Sequence, residues 1–394
     1  MKKESALLFI LAALQFTNIV DFMIMMPLGD VLMKLFKIGP QQFSVIVSAY
    51  TISAGISGFL GAFLIDRFDR KVALKYIYLG FTIGTFACGL APNYEMLVLA
   101  RIFTGMFGGI IGALVISIVS DIIPVERRST AMGVVTAAFS VASVLGVPGS
   151  LYIANLYSWH IPFFVLGGIS SILLIASLYI IPSIKAHLDL PRKSPKQLLT
   201  ILRDSPNQQK ALLFMFLLVM GQFSVIPFIT PYMIRNVGLT QGTIPFIYLV
   251  GGGLTIFSSP LIGKLADKYG RQRIFVFGAA FSIIPLLIIT NLVPIPIYFV
   301  LTITGIFFIS ITGRMIPAMS LMTSIVKPEN RGSFMSMSSS VQQLSAGAAA
   351  FISGNIVIQG TSGLQNYNYV GYLAVAATLV AIFMSYKLKT LEGR

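Results

Sequence analysis

Two charged residues stand in stretches that are otherwise apolar, and both are of types that handle protons and ions. Asp21 lies about seven residues before the end of an apolar run that closes near Leu28, and Arg101 about seven residues past the start of another near Tyr94. A carboxylate in such a run costs several kcal/mol unless it is paired, wetted or protonated, so its presence points to function. If the first run leads outward through a membrane and the second leads inward, a rise of about 1.5 Å per residue puts the two charges at similar depth. Burial favours the neutral form of a carboxylate, and a neighbouring arginine favours the charged form. A change in their separation would then load and release a proton. Three readings stand: Asp21 carries a coupling proton that Arg101 tunes, the two form a fixed structural ion pair, or Asp21 binds a cationic substrate directly. The last is compatible with the first if proton and substrate compete.

Other polar residues interrupt apolar runs. Gln15 and Asn18 precede Asp21 by six and three residues and share a broad helical stripe with it. Phe22 adjoins them. Gln222, Tyr248, Gln342 and Gln343 hold corresponding places later in the chain. Together they are expected to line a substrate cavity, although each alone also fits a helix-to-helix hydrogen bond. Arg314 lies about two turns from the inner end of its run. It either holds an anionic or polar substrate group or snorkels to the inner interface. Nearby methionines and aromatics suit varied hydrophobic substrates, and equally lipid contact.

The elements that must position these residues follow from composition. Hydrophobic residues are 56% of the 394 and charged residues 10%, against roughly 25% charged in a soluble domain. Residues 274–313 and 332–386 contain no Asp, Glu, Lys or Arg, so they read as lipid-embedded helices joined by short turns. The first apolar segment, Leu7–Phe16, shows no cleavage pattern and is taken as a spanning helix. Twelve spans are expected, at 5–28, 43–65, 73–91, 94–119, 130–154, 161–182, 211–234, 241–263, 274–291, 295–320, 332–356 and 367–386. Trp159 falls at an outer boundary, where an aromatic belt residue would sit.

The net charge of +15 is placed for topology and not for nucleic acid. Lys34, Lys37 and Arg235 fall on one side and Arg101 and Arg314 within spans; every other Lys and Arg falls on the opposite side, which the positive-inside rule makes cytoplasmic. Both termini are then inside, in a bacterial cytoplasmic (inner) membrane. Residues 183–210, with Pro191, Pro195 and Pro206, form a basic cytoplasmic linker between two domains, 1–182 and 211–394. Lys196–Leu202 fits a short amphipathic surface helix, and the basic residues fit contact with anionic lipid. No nucleotide-binding glycine loop or cluster of metal ligands is evident, and the two histidines, His160 and His187, fall near surfaces. The expectation is therefore no enzyme, no cofactor and no metal.

A repeat organises the chain. Leu64-Ile-Asp66-Arg67-Phe-Asp69-Arg70-Lys71 returns as Leu265-Ala-Asp267-Lys268-Tyr-Gly270-Arg271. In each copy an acidic residue lies four before a basic one, a spacing that can bridge a tight turn. The segment from Gly263 to Arg273 resembles the major facilitator superfamily motif Gly-x-Leu-Ala-Asp-Arg-x-Gly-Arg-Lys. The first copy departs from it, with Ala62 and Asp69 where the motif has glycine. Arg101-Ile-Phe-Thr-Gly105 resembles the fourth-helix motif, and Gly146-Val-Pro148-Gly149 the fifth-helix signature of the drug/proton antiporter branch. The resemblance covers essentially the whole chain.

It implies an all-α membrane fold of twelve helices in two pseudo-symmetric six-helix bundles, working by alternating access. Asp66, Arg70, Lys71, Asp267 and Arg271 would gate the inner face, with Asp121 in the same charge network. Gly105, Gly146, Pro148 and Gly149 would serve close helix packing. The implied activity is proton-coupled efflux of small amphipathic or cationic compounds by a monomer. The alternatives are export of a sugar or other small metabolite and, third, uptake by proton symport.

Overall fold

The computed structural model describes residues 2–64, 67–185, 188, 205–326, 331–361 and 363–389. Asp66, His187 and the expected surface helix at Lys196–Leu202 lie outside them. Among these described residues the fold is all-α apart from one small hairpin. In chain order the helices are α1 Lys2–Ile24, α2 Gly29–Leu35, α3 Pro40–Leu64, α4 Arg70–Leu90, α5 Tyr94–Ile122, α6 Val125–Val141, α7 Val147–Leu156 and α8 Ile161–Ile180. They continue as α9 Pro206–Phe223, α10 Ile226–Arg235, α11 Ile244–Tyr269, α12 Arg271–Thr290, α13 Ile297–Ser324, α14 Arg331–Ile356 and α15 Tyr367–Ser385. Strands β1, Ile358–Gln359, and β2, Leu364–Gln365, pair antiparallel between α14 and α15.

Among the described residues, eleven segments are long and apolar enough to cross a membrane. The remaining expected span is α14, which is 26 residues long. It carries Ser336, Ser338, Ser340, Gln342, Gln343 and Ser345 among its alanines. Three expected spans are not single α-helices. The first ends at Ile24, and Met25–Leu28 turns the chain into α2. The seventh breaks at Ser224–Val225, just before Pro227. The fifth contains a π-helical turn, Ala142–Gly146, between α6 and α7. Pro148 lies two residues past the end of that turn and has no N–H to give to the preceding turn of helix.

Most of these helices are apolar on every side, as lipid-facing helices must be. On α8, Phe163, Leu166, Ser170, Leu173 and Ser177 are buried at helical spacing, while Ile172, Ile175 and Tyr179 on the other faces are exposed. Helix starts are fixed locally. Asn93 Oδ1 accepts from Met96 N at 2.9 Å to cap α5, and prolines occupy the first turn of α7 through α11.

By contact the chain divides into two units. The first comprises Met1–Met25 and Ala49–Pro195, the second Met26–Ser48 and Lys196–Arg394. The seam at Pro195 falls inside the expected linker, but Met26–Ser48, expected in the N-terminal bundle, groups with the second unit. In the first unit α4 packs on α5 and α8, and α1 on α6 and α8. Leu11, Leu14, Leu74, Tyr78, Phe81, Leu114 and Ile118 form its core. In the second unit α13 packs on α11 and α12, and α15 on α9 and α12, around Phe214, Met215, Phe275, Ala318 and Met322.

Candidate functional site

The first unit brings Asp21 and Arg101 together. Arg101 Nη1 donates to Asp21 Oδ2 at 2.8 Å and to the Asp21 carbonyl at 3.3 Å. Both side chains are buried, 0% exposed for Asp21 and 1% for Arg101. Thr85 Oγ1, from α4, donates to the other carboxylate oxygen at 3.2 Å. The Tyr50 ring, from α3, lies 4.2 Å from the Arg101 guanidinium, a cation–π contact. Tyr50 also stacks on Phe22, with centroids 5.6 Å apart, and its hydroxyl donates to Asn18 Oδ1 at 3.0 Å. Asn18 Nδ2 donates to the Gly108 carbonyl at 3.2 Å. Four helices thus converge on one ion pair, and Asn18 and Phe22 belong to its surroundings.

Glycine makes this convergence possible. A Cβ on Gly105 would collide with the Tyr50 carbonyl and Ser53 Oγ, and one on Gly108 with the Tyr50 hydroxyl. A Cβ on Gly146 would meet Val20 just as closely, with Phe16 beside it at 3.2 Å. Gly149 has nothing within 4 Å of its Cβ position, so no close approach there requires glycine. Gln15 is half-buried, and its Oε1 has no partner among the described residues.

Neither Tyr50 nor Thr85 stands out in the sequence. Nor does Asp30, a wholly buried carboxylate on α2. Asp30 accepts from Arg235 Nε at 2.6 Å, Gln241 Nε2 at 2.9 Å and Lys34 Nζ at 2.8 Å. Two of the three cations expected on the outer side, Lys34 and Arg235, therefore bind one carboxylate within the second unit.

The other polar residues of the second unit are held by separate partners. Tyr248 bonds Thr230 Oγ1 at 3.1 Å. Gln342 Nε2 donates to Ser338 Oγ at 3.3 Å. Gln222 and Gln343 are half-buried, and Gln222 Oε1 has no partner among the described residues. Arg314 is 0% exposed. It does not snorkel to the inner interface, because its guanidinium bonds Ser282 Oγ of α12 and Thr378 Oγ1 of α15.

At the first of the repeated turns, Arg70 Nε donates to Asp121 Oδ2 at 3.0 Å, tying α4 to α5. Lys71 follows Arg70 in the first turn of α4, and its N–H bonds Asp69 Oδ1 at 2.9 Å. Asp69 also accepts from Ile184 N at 3.0 Å and from the Ser183 hydroxyl. Burial pushes the Asp69 carboxyl up, but these hydrogen bonds and nearby Lys185 outweigh it and hold the group below its usual range. Asp69 is thus a helix cap with φ −52°, whereas Gly270 at the second turn has φ +95°. The positive φ that favours glycine is therefore absent at Asp69 and present at the second turn. There Asp267 is exposed, and with Arg271, Gln272 and Arg273 it lines an open groove of about 480 Å³.

Trp159 departs from expectation. It is 4% exposed and packs edge-on against Phe163 at 6.1 Å, so it is a core residue and not part of a lipid-facing belt. Its neighbour His160 bonds the Gly89 carbonyl at 2.7 Å through Nδ1, joining the C-terminal end of α4 to the start of α8.

The family model described as Major Facilitator Superfamily matches residues 11–350, and again 211–392. The "Uncharacterized MFS-type transporter YceJ" of Bacillus subtilis is 26% identical over 339 residues, 85% of each chain. A "Probable sugar efflux transporter" of Helicobacter pylori is 23% identical, over 93% of this chain and 90% of the relative. Among solved structures, an inward-facing bacterial homolog of the human lysosomal transporter Spinster superposes with a TM-score of 0.77 at 14% identity, covering 98% of each chain. At that identity the likeness speaks for the fold alone.

Proposed function

The chain belongs to the Major Facilitator Superfamily, and from that premise we propose that it is a proton-coupled exporter in which Asp21 carries the proton and Arg101 tunes it. As a member of that family it is a multi-pass membrane protein and a secondary transporter, not an enzyme. The proton role is carried by one observation: a carboxylate and a guanidinium, both almost wholly buried, meet at 2.8 Å inside a spanning unit. Fixed pairs of this kind rarely add stability over an apolar packing, which favours an exchangeable role for Asp21. Protonation would weaken the hold on Arg101, and the return of Arg101 to the carboxylate would favour release of the proton.

The substrates proposed are small amphipathic or cationic compounds. A second reading, export of a sugar or other small metabolite, draws support from the sugar efflux name of the Helicobacter pylori relative. Inner gating is assigned to Arg70, Lys71 and Asp121 at the first turn, and to Asp267 and Arg271 at the second, with Asp66 expected to join them. The protein is proposed to act as a monomer in a bacterial cytoplasmic membrane, with both termini inside and its basic linker against anionic lipid.

The test is ethidium movement into inside-out vesicles with an acidic lumen, comparing wild type with Asp21→Asn. Gradient-driven uptake lost in the variant is the expected result. Equal uptake by the two would sink the proton assignment. No ethidium movement by folded wild type would turn the substrate reading towards a metabolite.

A further inference from the structure

Arg314 is the one charged residue in the spans of the second half: residues 211–234, 241–263, 274–313, 315–324 and 332–386 contain no Asp, Glu, Lys or Arg. Arginine stays protonated wherever it is placed, so this cation needs a partner. Only two carboxylates of the second unit are among its described residues. Asp30 is already bound by three donors, and Asp267 is exposed at the inner turn. Neither contacts Arg314.

The guanidinium is held in a particular way. The Ser282 hydroxyl donates to the Ala279 carbonyl and the Thr378 hydroxyl to the Ala374 carbonyl, both at 2.7 Å. Their lone pairs are left to accept Arg314 Nη1, at 3.3 Å and 2.9 Å. Nε and Nη2 have no hydrogen-bond partner among the described residues. These two nitrogens form the edge whose parallel N–H bonds match the two oxygens of a carboxylate. One end of the group is anchored, and the bidentate fork is left free. Backbone crowding keeps the site small: a Cβ on Gly278 would lie 2.6 Å from the Gly313 carbonyl, and one on Gly221 3.0 Å from Thr378 Oγ1.

We propose that the free fork of Arg314 receives a single carboxylate carried by the transported compound. One cation with no second positive charge within 211–234, 274–313, 315–324 or 332–386 balances one negative charge, which favours a monocarboxylate over a phosphate dianion. The proposal rests on the transport reading above, and narrows its substrate class to amphipathic compounds that bear a carboxylate, away from simple cations.

The test is thermal unfolding of the purified full-length protein in detergent, with sodium benzoate, sodium phosphate and sodium chloride at equal ionic strength. Benzoate is expected to raise the melting temperature of wild type with concentration, by about 2 °C or more at saturation, and chloride is not. Arg314→Met should lose that response. Its melting temperature without benzoate should be no lower than that of wild type, because it removes an unpaired buried charge. A lower ligand-free melting temperature would mark Arg314 as a structural tie and overturn the proposal. So would equal shifts with benzoate and chloride, or a benzoate shift that survives Arg314→Met. A shift with phosphate and none with benzoate would overturn the carboxylate assignment. Asp21→Asn should keep the benzoate shift. Proton-driven ethidium uptake by a wild type that ignores benzoate would therefore sink this inference and spare the proton site.

Discussion

Arg101 Nη1 lies 2.8 Å from Asp21 Oδ2, and Thr85 holds the second oxygen of the same carboxylate. Charge and hydrogen bonding are therefore separable at this site. An asparagine at position 21 keeps an oxygen for Arg101 or Thr85 and loses the charge. We expect Asp21→Asn to reach the membrane at near wild-type levels, with proton-driven flux reduced at least about 100-fold, the lower end of what a positioned acid–base group contributes. Membrane abundance and gradient-driven uptake, measured on the same vesicles, check this. Loss of both together would show a structural pair.

Tyr50 offers Arg101 a ring face and Asn18 a hydroxyl. Tyr50→Phe keeps the cation–π contact and the stacking on Phe22 while removing one hydrogen bond, at about 1 kcal/mol. Tyr50→Leu loses the ring as well, and a desolvated cation–π contact adds about 2 kcal/mol. The pH dependence of transport should therefore move more in Tyr50→Leu than in Tyr50→Phe. Identical profiles would remove the ring from the tuning of the pair.

Asp30 binds a buried arginine and an exposed lysine at once, which allows an internal comparison. The Arg235 side chain is 10% exposed and that of Lys34 63%. Breaking a buried pair by removing one partner costs about 3–5 kcal/mol, whereas an exposed pair is worth about 0–1 kcal/mol. Asp30→Ala should lower the melting temperature sharply and Lys34→Ala hardly at all. A Lys34→Ala loss as large as that of Asp30→Ala would contradict the buried-pair account.

Much of this was legible in the sequence because lipid leaves so few options. Long uncharged runs marked the spans, and counting residues from Leu28 and Tyr94 placed Asp21 opposite Arg101. Tyr50 and Thr85 were not legible. Nothing in their spacing separates one of 15 tyrosines from the rest, and their role depends on the crossing of α3 and α4 with α1. Asp30 sits past the break at Met25, where an expected span of 5–28 left no helix to carry it. The hairpin at 358–365 is fixed by Asn236, which bonds both the N–H and the carbonyl of Leu364 at 2.9 Å. No local pattern reveals a contact across 128 residues. Arg314 was legible as an oddity, but its direction was not, because hydroxyls on α12 and α15 decide it.

The repeated turn gives the last prediction, since its two copies use different physics. Gly270 has φ +95°, so Gly270→Ala should cost about 1 kcal/mol or more at every pH. Asp69 has φ −52° and caps α4 while binding Ser183 and Ile184. Placing the family's glycine there gains no backbone relief and loses three hydrogen bonds. Asp69→Gly should therefore destabilise, and so should Asp69→Ala, which loses a cap typically worth about 1 kcal/mol. The Asp69 carboxyl is held below its unfolded value. Its contribution is thus complete above the unfolded value, about 3.9, and is lost as pH falls through the folded one. Melting temperatures in detergent between pH 7 and pH 3 should show the gap between wild type and Asp69→Ala closing in acid, while the Gly270→Ala gap stays open. A gap at position 69 that persisted unchanged to pH 3 would mean that the carboxylate charge does not hold this turn.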